Sequence, residues 1–360
     1  MKLGYFTLTD NPPAYGESRQ DPNQMIMNTV TECVYAEDLG FNSVWVPEHH
    51  FGVFGVLPSP SQFLTFIAAN TKRVKLAPAT VLLPTSHPLR MAEEYALLHL
   101  LSGGRAIFSA GRGYDEREYD AFGIDFHKSQ EIFFESLDII KKAWTTQGEI
   151  SYNGKFYKFP SLSLTPEIRG GDYPDIYVAS FSRPSLEKAA KIGENVIFAP
   201  FAASMVFGNV QNAVAEFKSI SEANGFKGKK TMCSYFINVT ENAEETEKTK
   251  QRMLKYFHGI LPAFPSDVEK APPHIRYFVD IVHRLKNMKT TDLGEKSIIV
   301  GDAEHCVKVL KQCEAAGIEE VILYFNFGGL EHKETMKSME RVAKQVLPHF
   351  KNSIKVVAGD

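Results

Sequence analysis

The sequence has little cysteine and lacks the motifs that cysteine chemistry needs. Its 360 residues include 4 cysteines, and none of them forms a CxxC pair or has a partner at zinc-ligand spacing: Cys33, Cys233, Cys306 and Cys313. Neither a disulfide scaffold nor a zinc module is therefore indicated. We expect free thiols in a reducing compartment, the cytoplasm.

Long hydrophobic runs and blocks of one charge sign are also missing. No apolar segment approaches the roughly 20 residues that cross a bilayer as a helix. The chain opens on a strand-like segment, Met-Lys-Leu-Gly-Tyr-Phe, and no signal peptide is predicted. The net charge is -3 and no polybasic block occurs. We therefore expect neither a membrane nor a nucleic acid as a partner.

The first predicted strand-to-helix turn lacks the glycine fingerprint of a doubly wound dinucleotide-binding sheet, since it reads Asp-Asn-Pro-Pro at 10–13. Eight strand-like segments are present instead, starting near Lys2, Ser43, Val74, Arg105, Ile176, Asn195, Met232 and Glu319. Helical patterns are predicted at 23–39, 61–70, 88–101, 128–144, 184–192, 209–223, 242–257, 302–316 and 332–346. This alternation predicts a parallel sheet. Eight strands in one chain of this length fit a (β/α)8 TIM barrel better than a doubly wound sheet.

Two segments interrupt the alternation. Residues 150–159 alternate around Asn153 and Gly154, which predicts a β-hairpin outside the barrel. Residues 258–296 are irregular and rich in proline, and a long insertion in a compact domain is typically either functional or disordered. We predict one barrel domain over 1–360, with this insertion before the last strand.

Catalytic residues of such barrels lie at the C-terminal ends of the strands. The polar residues just past the second, third, fourth and fifth predicted strands are Glu48, His49 and His50; His87; Arg112; and Ser182, Arg183 and Ser185. If the predicted barrel forms, these side chains converge on one rim.

The histidines allow two interpretations. A metal site is the weaker one, because the first strand lacks the His-x-His of hydrolytic barrels. In addition, adjacent His49 and His50 would point to opposite faces of a continuing strand. A single histidine that acts as general acid or base is the better interpretation. For His50 and His87, a hydrogen-bonded role in packing fits the sequence at least as well as catalysis.

The segment from Ser182 to Ser185 contains a proline and opens a predicted helix. Simple capping explains this pattern, and so does an anion site at the helix N-terminus. Arg112 lies between two glycines that let the backbone approach a ligand closely. Together with Arg183, these residues indicate a phosphate clamp.

Residues 44–51, Val-Trp-Val-Pro-Glu-His-His-Phe, resemble the segment after the second strand of the bacterial luciferase-like flavin monooxygenases. Supporting motifs that resemble the same family extend the similarity over nearly the whole chain: 83–88, 111–114, 121–123, 152–154, 300–306 and 315–318. The resemblance implies a (β/α)8 barrel that binds reduced FMN supplied by a separate flavin reductase. It also implies a homodimer and a mobile lid at 258–296.

The reaction that the resemblance implies is a monooxygenation. O2 adds at the flavin C4a position, and the peroxyflavin oxidises an aldehyde, a ketone or another small apolar organic substrate. The resemblance also implies site roles: His49 as acid or base beside Glu48, Arg112 as phosphate ligand, Ser182 and Ser185 as phosphate-binding hydroxyls, and a cis peptide at Ala79–Thr80 beneath the flavin. Gln130 stands where the family tends to carry a second arginine, so Arg183 is the candidate replacement.

Three alternatives stay open from the sequence. The first is an F420-dependent oxidoreductase, which transfers hydride without oxygen. The second is a non-catalytic flavoprotein like the luciferase β chain, and the combination of Glu48, His49 and Arg112 argues against it. The third is a metal-dependent hydrolase.

Overall fold

Parallel strands joined by helices make up most of the chain in a computed structural model that describes residues 1–264 and 277–350. The strands are β1 (Lys2–Phe6), β2 (Ser43–Val46), β3 (Lys75–Pro78), β4 (Val81–Leu82), β5 (Ile107–Gly111), β6 (Glu149–Asn153), β7 (Lys158–Ser163), β8 (Asp175–Ala179), β9 (Asn195–Phe198), β10 (Thr231–Val239), β11 (Ile298–Gly301) and β12 (Glu320–Tyr324). The helices are α1 (Pro22–Leu39), α2 (Pro60–Asn70), α3 (Pro88–Leu101), α4 (Glu116–Phe122), α5 (Ser129–Thr145), α6 (Arg183–Lys191), α7 (Pro200–Phe207), α8 (Val210–Ala223), α9 (Ala243–Ile260), α10 (Tyr277–Asn287), α11 (Ala303–Ala315) and α12 (His332–Gln345).

The main sheet closes on itself as a barrel. Its strands follow the order β3-β2-β1-β12-β10-β9-β8-β5-β4, and all of these neighbours are parallel. A bridge from Leu76 to Ala106 and the pairing of β4 with β5 join the two ends. Since β3 and β4 are one strand interrupted at a cis peptide, Ala79–Thr80, the barrel has eight strand positions. The predicted (β/α)8 fold is confirmed.

Each of the eight predicted strand segments contains a barrel strand, and the predicted hairpin is present as β6 and β7. The hairpin turn is longer than a two-residue turn, because the Gly154 N–H donates to the Tyr157 carbonyl at 2.9 Å. The sequence patterns did not reveal β11, which pairs with residues 236–239 of β10, or helices α4, α7 and α10.

The insertion predicted at 258–296 lies partly outside the described residues. Residues 265–276, with Pro265, Pro272 and Pro273, are among those that the structure does not describe. The remainder includes α10, so that part is helical rather than irregular. Its role as a lid stays a prediction. Across the described ranges, no helix combines the length and apolar character that crossing a bilayer requires.

Local capping explains where several helices begin and end. Asp302, the predicted N-cap of α11, accepts the N–H of His305 at 2.8 Å. Helix α1 ends at Gly40, whose φ of 86° is readily adopted only by glycine. These caps fix the helix positions and hence the loops that form the rim of the barrel.

Two apolar clusters hold the barrel together, one between the sheet and the helices and one inside the barrel. Inside, the fully buried Trp45 meets the ring of Tyr177 with 6.4 Å between centroids, and its Nε1–H donates to Ser43 Oγ at 2.7 Å. The barrel interior is therefore a packed core, as is usual for this fold.

Asp10 anchors the loop after β1 to the end of β12. Its buried carboxylate accepts hydrogen bonds from the hydroxyls of Tyr15 and Tyr324 and from the N–H of Gly328 at 3.0 Å. Burial raises the pKa of Asp10 to about 7, although hydrogen bonds from Tyr15 and Gly328 act in the opposite direction. This carboxyl therefore makes the loop anchor sensitive to pH.

We expect Asp10 to lower stability as the pH rises. The folded state holds the Asp10 proton up to about pH 7, whereas an unfolded aspartate releases it near pH 3.9. The contribution of Asp10 to the free energy of unfolding is therefore fully present below about pH 3.9 and is lost as the pH rises to about 7. Relative to Asp10→Asn, the wild-type free energy of unfolding should fall by roughly 2–4 kcal/mol between pH 4 and 7.5. Urea unfolding of both proteins across this range measures it, and parallel pH profiles would refute the expectation.

Candidate active site

A cavity of about 280 Å³ opens at the C-terminal ends of the barrel strands. Strand ends, the loop after β2, and helices α4 to α7, α9 and α10 all contribute to its wall. The structure brings eight of the sequence-predicted site residues to this one cavity: Glu48, His49, Ala79, Thr80, Arg112, Gln130, Ser182 and Ser185. Arg183 is not among the described lining residues.

His49 has its ring in the cavity wall, with 13 % of its side chain exposed. The ring packs edge-on against Phe54, with 4.8 Å between centroids. Its backbone N–H donates to the Leu57 carbonyl at 2.9 Å, which fixes the loop after β2. On the other side, Nδ1 lies 3.8 Å from Oε1 of Glu118, a carboxylate on α4.

Glu48 contacts the second histidine rather than the first. Its Oε1 lies 3.1 Å from Nε2 of His50, and its Oε2 accepts the Leu82 N–H at 3.0 Å. The Glu48 carboxylate is buried and lines the cavity. It thus ties the end of β2 to β4, just past the cis peptide. The His50 ring is held between Glu48 and the ring of Phe122, which lies 4.8 Å away.

His87, the third predicted histidine, lies elsewhere. Its side chain is exposed and packs against the ring of Tyr157 at 5.4 Å. It is absent from the cavity wall as far as the described residues define that wall. His87 is therefore not in the core, as one interpretation of the sequence had it, and of its packing role only the ring contact with Tyr157 is present.

Glu118 is a site residue that sequence reasoning missed. Its carboxylate is buried and accepts the backbone N–H of His50 at 2.7 Å. Burial raises the pKa of Glu118, but the nearby His49 ring and the His50 N–H outweigh it, so the pKa is lowered overall. Glu118 is therefore an ionised carboxylate between two histidines. It lies between the two motifs at 111–114 and 121–123 that follow the fourth predicted strand, and this position is the signal that could have indicated it.

Arg112 marks one part of the cavity as suited to an anion. Its carbonyl accepts the hydroxyl of Tyr119, and its charge lowers the pKa of that tyrosine, although burial raises the pKa more strongly. Ser129 also hydrogen-bonds Tyr119, which places the N-terminus of α5, with Gln130, near Arg112. A guanidinium beside a helix N-terminus is a suitable environment for phosphate.

Helix α6 contributes a second N-terminus to the cavity. Ser182 caps it, with its Oγ accepting the Ser185 N–H at 3.4 Å and the Ser185 hydroxyl donating to the Ser182 carbonyl at 2.9 Å. Both serines line the cavity. Helices α5 and α6 are neighbours, since Lys188 Nζ on α6 lies 5.5 Å from the ring of Phe134 on α5.

Arg183 does not join this group. Its guanidinium pairs with the carboxylate of Glu216 on α8 and stacks 5.0 Å from the ring of Phe207. Because it is also exposed, the structure gives no support to Arg183 as the replacement for a second phosphate-binding arginine. Gln130 does line the cavity, as a neutral donor and acceptor.

The wall between Ala79 and Gly111 is shaped for a flat ligand. The predicted cis peptide at Ala79–Thr80 is present and lies in the cavity wall. A Cβ on Gly111 would overlap the Thr80 hydroxyl, so only glycine fits beside it in this arrangement. The two neighbouring strands thereby present backbone and small side chains to the cavity.

Most of the rest of the described wall is apolar, with Asp115 and Ser234 as further polar residues. Aromatic side chains dominate it: Phe6, Phe54, Phe201, Phe236, Tyr256, Phe257 and Phe264. Phe264 stacks on Tyr114 with 4.8 Å between centroids. An apolar ligand would lose its water here without leaving a charge unpaired.

Metal ligation finds no geometric support within residues 1–264 and 277–350, where no three His, Cys, Asp or Glu side chains are grouped to hold an ion. The donor set of the cavity fits FMN instead. Arg112, two helix N-termini and the serine hydroxyls suit its phosphate, and the wall at Ala79 and Gly111 suits its planar ring.

A family model described as "Luciferase-like monooxygenase" matches residues 1–320. The chain belongs to the luciferase-like monooxygenase family. The oxygenase component of a flavin-dependent trigonelline monooxygenase from Acinetobacter baylyi is 25% identical to it over 93% of this chain and 92% of that protein. An alkanal monooxygenase alpha chain from the Kryptophanaron alfredi symbiont is 26% identical over 98% of this chain and 99% of its own.

Three solved structures share the fold. The monooxygenase RslO1 from Streptomyces bottropensis superimposes with a TM-score of 0.80 at 24% identity, covering 98% of this chain and 100% of its own. The oxygenating constituent of 3,6-diketocamphane monooxygenase from Pseudomonas putida, in complex with FMN, gives 0.72 at 19% identity over 97% and 98%. An F420-dependent secondary alcohol dehydrogenase gives 0.72 at 16% identity over 98% and 99%.

Proposed function

We propose that this protein is the oxygenase component of a two-component system. It would take reduced FMN from a separate flavin reductase, and O2, to oxidise a small, uncharged, apolar organic substrate such as an aldehyde or ketone. The observation that carries the proposal is the composition of a single cavity. An anion-binding set around Arg112, a flat wall at Ala79–Thr80 and a histidine with its own carboxylate all line it.

FMN is preferred to F420 as the cofactor because the anion-binding part of the cavity carries little positive charge. One phosphate can be satisfied by Arg112, the Ser182 and Ser185 hydroxyls and the N-termini of α5 and α6. Gln130 and the absence of Arg183 from the cavity leave this part modest in positive charge. A site with little positive charge suits a flavin that has to bind in its reduced form and leave in its oxidised form at every turnover.

Bound reduced FMN supplies the electrons for O2 activation, with one oxygen atom going to the substrate and the other to water. The chain's own contribution is to bind the phosphate, to exclude water with the aromatic wall, and to move a proton at His49. Glu48 is proposed to act on this chemistry by holding β4 and His50 in place, through its two hydrogen bonds.

The apolar wall limits the substrate. A carboxylate or ammonium group on the substrate would need a charged partner among the aromatic side chains, and burying it without one is costly. An alkanal, named in the alkanal monooxygenase relatives, needs no such partner. We therefore infer an uncharged substrate whose carbonyl reaches the His49 side of the cavity.

We also propose a homodimer, with the exposed apolar face of α2 and α3 as its interface. Phe66, Leu97, Leu100 and Leu101 are all substantially exposed on these two packed helices. Leu100→Glu should shift a dimer towards monomer in light scattering at matched concentration, while Glu304→Gln, an exposed position on α11, should not. A wild-type protein that elutes as a monomer would contradict the dimer. The cytoplasmic location stays a prediction from cysteine usage.

Cofactor choice is tested by anaerobic titration with reduced FMN, followed by O2. We expect saturable binding of reduced FMN and oxygen consumption that depends on it, with no comparable binding of reduced F420. Arg112→Met should weaken FMN binding about tenfold or more, since a charge-assisted phosphate contact is lost. Riboflavin, which has no phosphate, serves as the control and should bind both proteins alike. Binding of F420 alone would sink the oxygenase proposal.

His49 is tested by replacement with asparagine. We expect turnover to fall about 10²- to 10⁴-fold, because a positioned proton-transfer group is removed. The dissociation constant for reduced FMN should change little, since His49 lies outside the anion-binding set. Unchanged turnover would instead reject the catalytic role of His49, whereas no turnover in the wild type would favour a non-catalytic flavoprotein, like the luciferase β chain. His87→Asn, outside the cavity, provides the matched histidine control.

A further inference from the structure

The Glu118 carboxylate lies beside the His49 ring, and the proposed reaction gives it no role so far. Its carboxylate is only 2 % exposed, so water does not satisfy it. Oε1 accepts the His50 backbone N–H at 2.7 Å and lies 3.8 Å from Nδ1 of His49. The backbone contact fixes the position of this oxygen relative to the histidine loop. Oε1 therefore faces Nδ1.

The tautomer of a neutral imidazole is set by the hydrogen bond that one of its nitrogens makes. A carboxylate facing Nδ1 favours the form with the proton on Nδ1 and the lone pair on Nε2. At 3.8 Å the contact is longer than a hydrogen bond, but catalytic contacts of ligand-free sites commonly shorten once substrate binds. The nitrogen left to accept a proton is Nε2.

No other carboxylate of the described cavity wall is as well placed for this role. Glu48 is committed to His50 and the Leu82 N–H. Asp115 is bound by the guanidinium of Arg117 at 2.8 and 2.6 Å. Another close neighbour of the ring is Phe54, which offers an aromatic edge and no acceptor.

Helix α4 holds Glu118 in position from both sides. Asp115 caps its N-terminus and is locked by Arg117. One residue after Glu118, the buried Tyr119 donates its hydroxyl to the Arg112 carbonyl. Asp115 and Tyr119, on either side of Glu118 in the chain, are thus both held by hydrogen bonds. The Glu118 carboxylate therefore has little freedom to move away from Nδ1 of His49.

We propose that Glu118 is the positioning residue of His49: it holds the Nδ1–H tautomer and so leaves Nε2 as the proton acceptor at the substrate. This inference rests on the proposed function for its kinetic meaning, but its structural content concerns the flavin-free protein alone. Like the carboxylate that orients a catalytic histidine in other enzymes, Glu118 would support an imidazolium when it forms.

The tautomer can be measured directly. Long-range 1H–15N NMR of flavin-free protein labelled at histidine distinguishes the two forms, and His49→Asn assigns the resonances. We expect wild-type His49 to carry its proton on Nδ1. Glu118→Ala should remove this preference, whereas Glu118→Gln should keep it, because the amide oxygen still accepts. An Nε2–H form in the wild type, or no change in Glu118→Ala, would overturn the proposal.

Kinetics test the consequence. In Glu118→Ala, kcat should fall about 100-fold with the KM for substrate and the FMN dissociation constant little changed. Glu118→Gln should lose about tenfold, since it keeps the acceptor and loses the charge. Glu116→Gln, an exposed glutamate on the same helix, should behave as wild type. If the KM and the FMN dissociation constant rose by as much as kcat fell, the role of Glu118 would be merely structural and the proposed positioning role would be rejected.

A failure of the Glu118 variant to fold can be distinguished from a loss of its proposed role. If Glu118→Ala does not fold by circular dichroism, Glu118→Asp takes its place, because it withdraws the carboxylate from Nδ1 by one methylene. The same loss of tautomer preference is then expected. If the wild type consumes no oxygen with reduced FMN, the proposed oxygenase fails. The tautomer data on flavin-free protein still decide the role of Glu118.

Discussion

The contact between the Glu48 carboxylate and the Leu82 N–H is the constraint on which the rest of the site depends. It joins the end of β2 to β4 immediately after the cis peptide, and thereby fixes the flat wall relative to the histidines. The carboxylate is buried, so an unpaired N–H or a lost partner there would cost roughly 1–3 kcal/mol. The second oxygen of Glu48 contacts the His50 ring, whereas the His49 ring faces the cavity.

The cavity divides its chemistry between two kinds of wall. Charged and hydrogen-bonding groups come from the loops after β2 and β5 and from the starts of α4, α5 and α6, whereas α7, α9 and α10 contribute apolar side chains. In a site that excludes water, charges interact more strongly than they do in solvent. An apolar cover therefore strengthens the few polar contacts that the reaction uses, and it also keeps water from a reactive intermediate.

Sequence alone predicted the barrel and most of the residues at its rim, for clear physical reasons. Barrel strands are buried on both faces and give apolar runs, and the topology brings their C-terminal ends together.

The sequence could not predict how neighbouring side chains share hydrogen-bond and ion-pair partners. Whether Glu48 binds His49 or His50 depends on the backbone direction after β2. Glu118 meets His49 from 69 residues away through the placement of a seven-residue helix. Arg183 turns away because Glu216, on another helix, is there to receive it.

Helix α4 joins the two chemical parts of the site. Glu118 touches the histidine loop, and the next residue, Tyr119, binds the carbonyl of Arg112 at the anion-binding part. A shift of this short helix would therefore move the carboxylate beside His49 and the phosphate ligand together. Since interiors are close-packed, such a shift would be transmitted rather than absorbed. Under the proposed function, phosphate binding at Arg112 and the orientation of the His49 ring are thus mechanically linked through this helix.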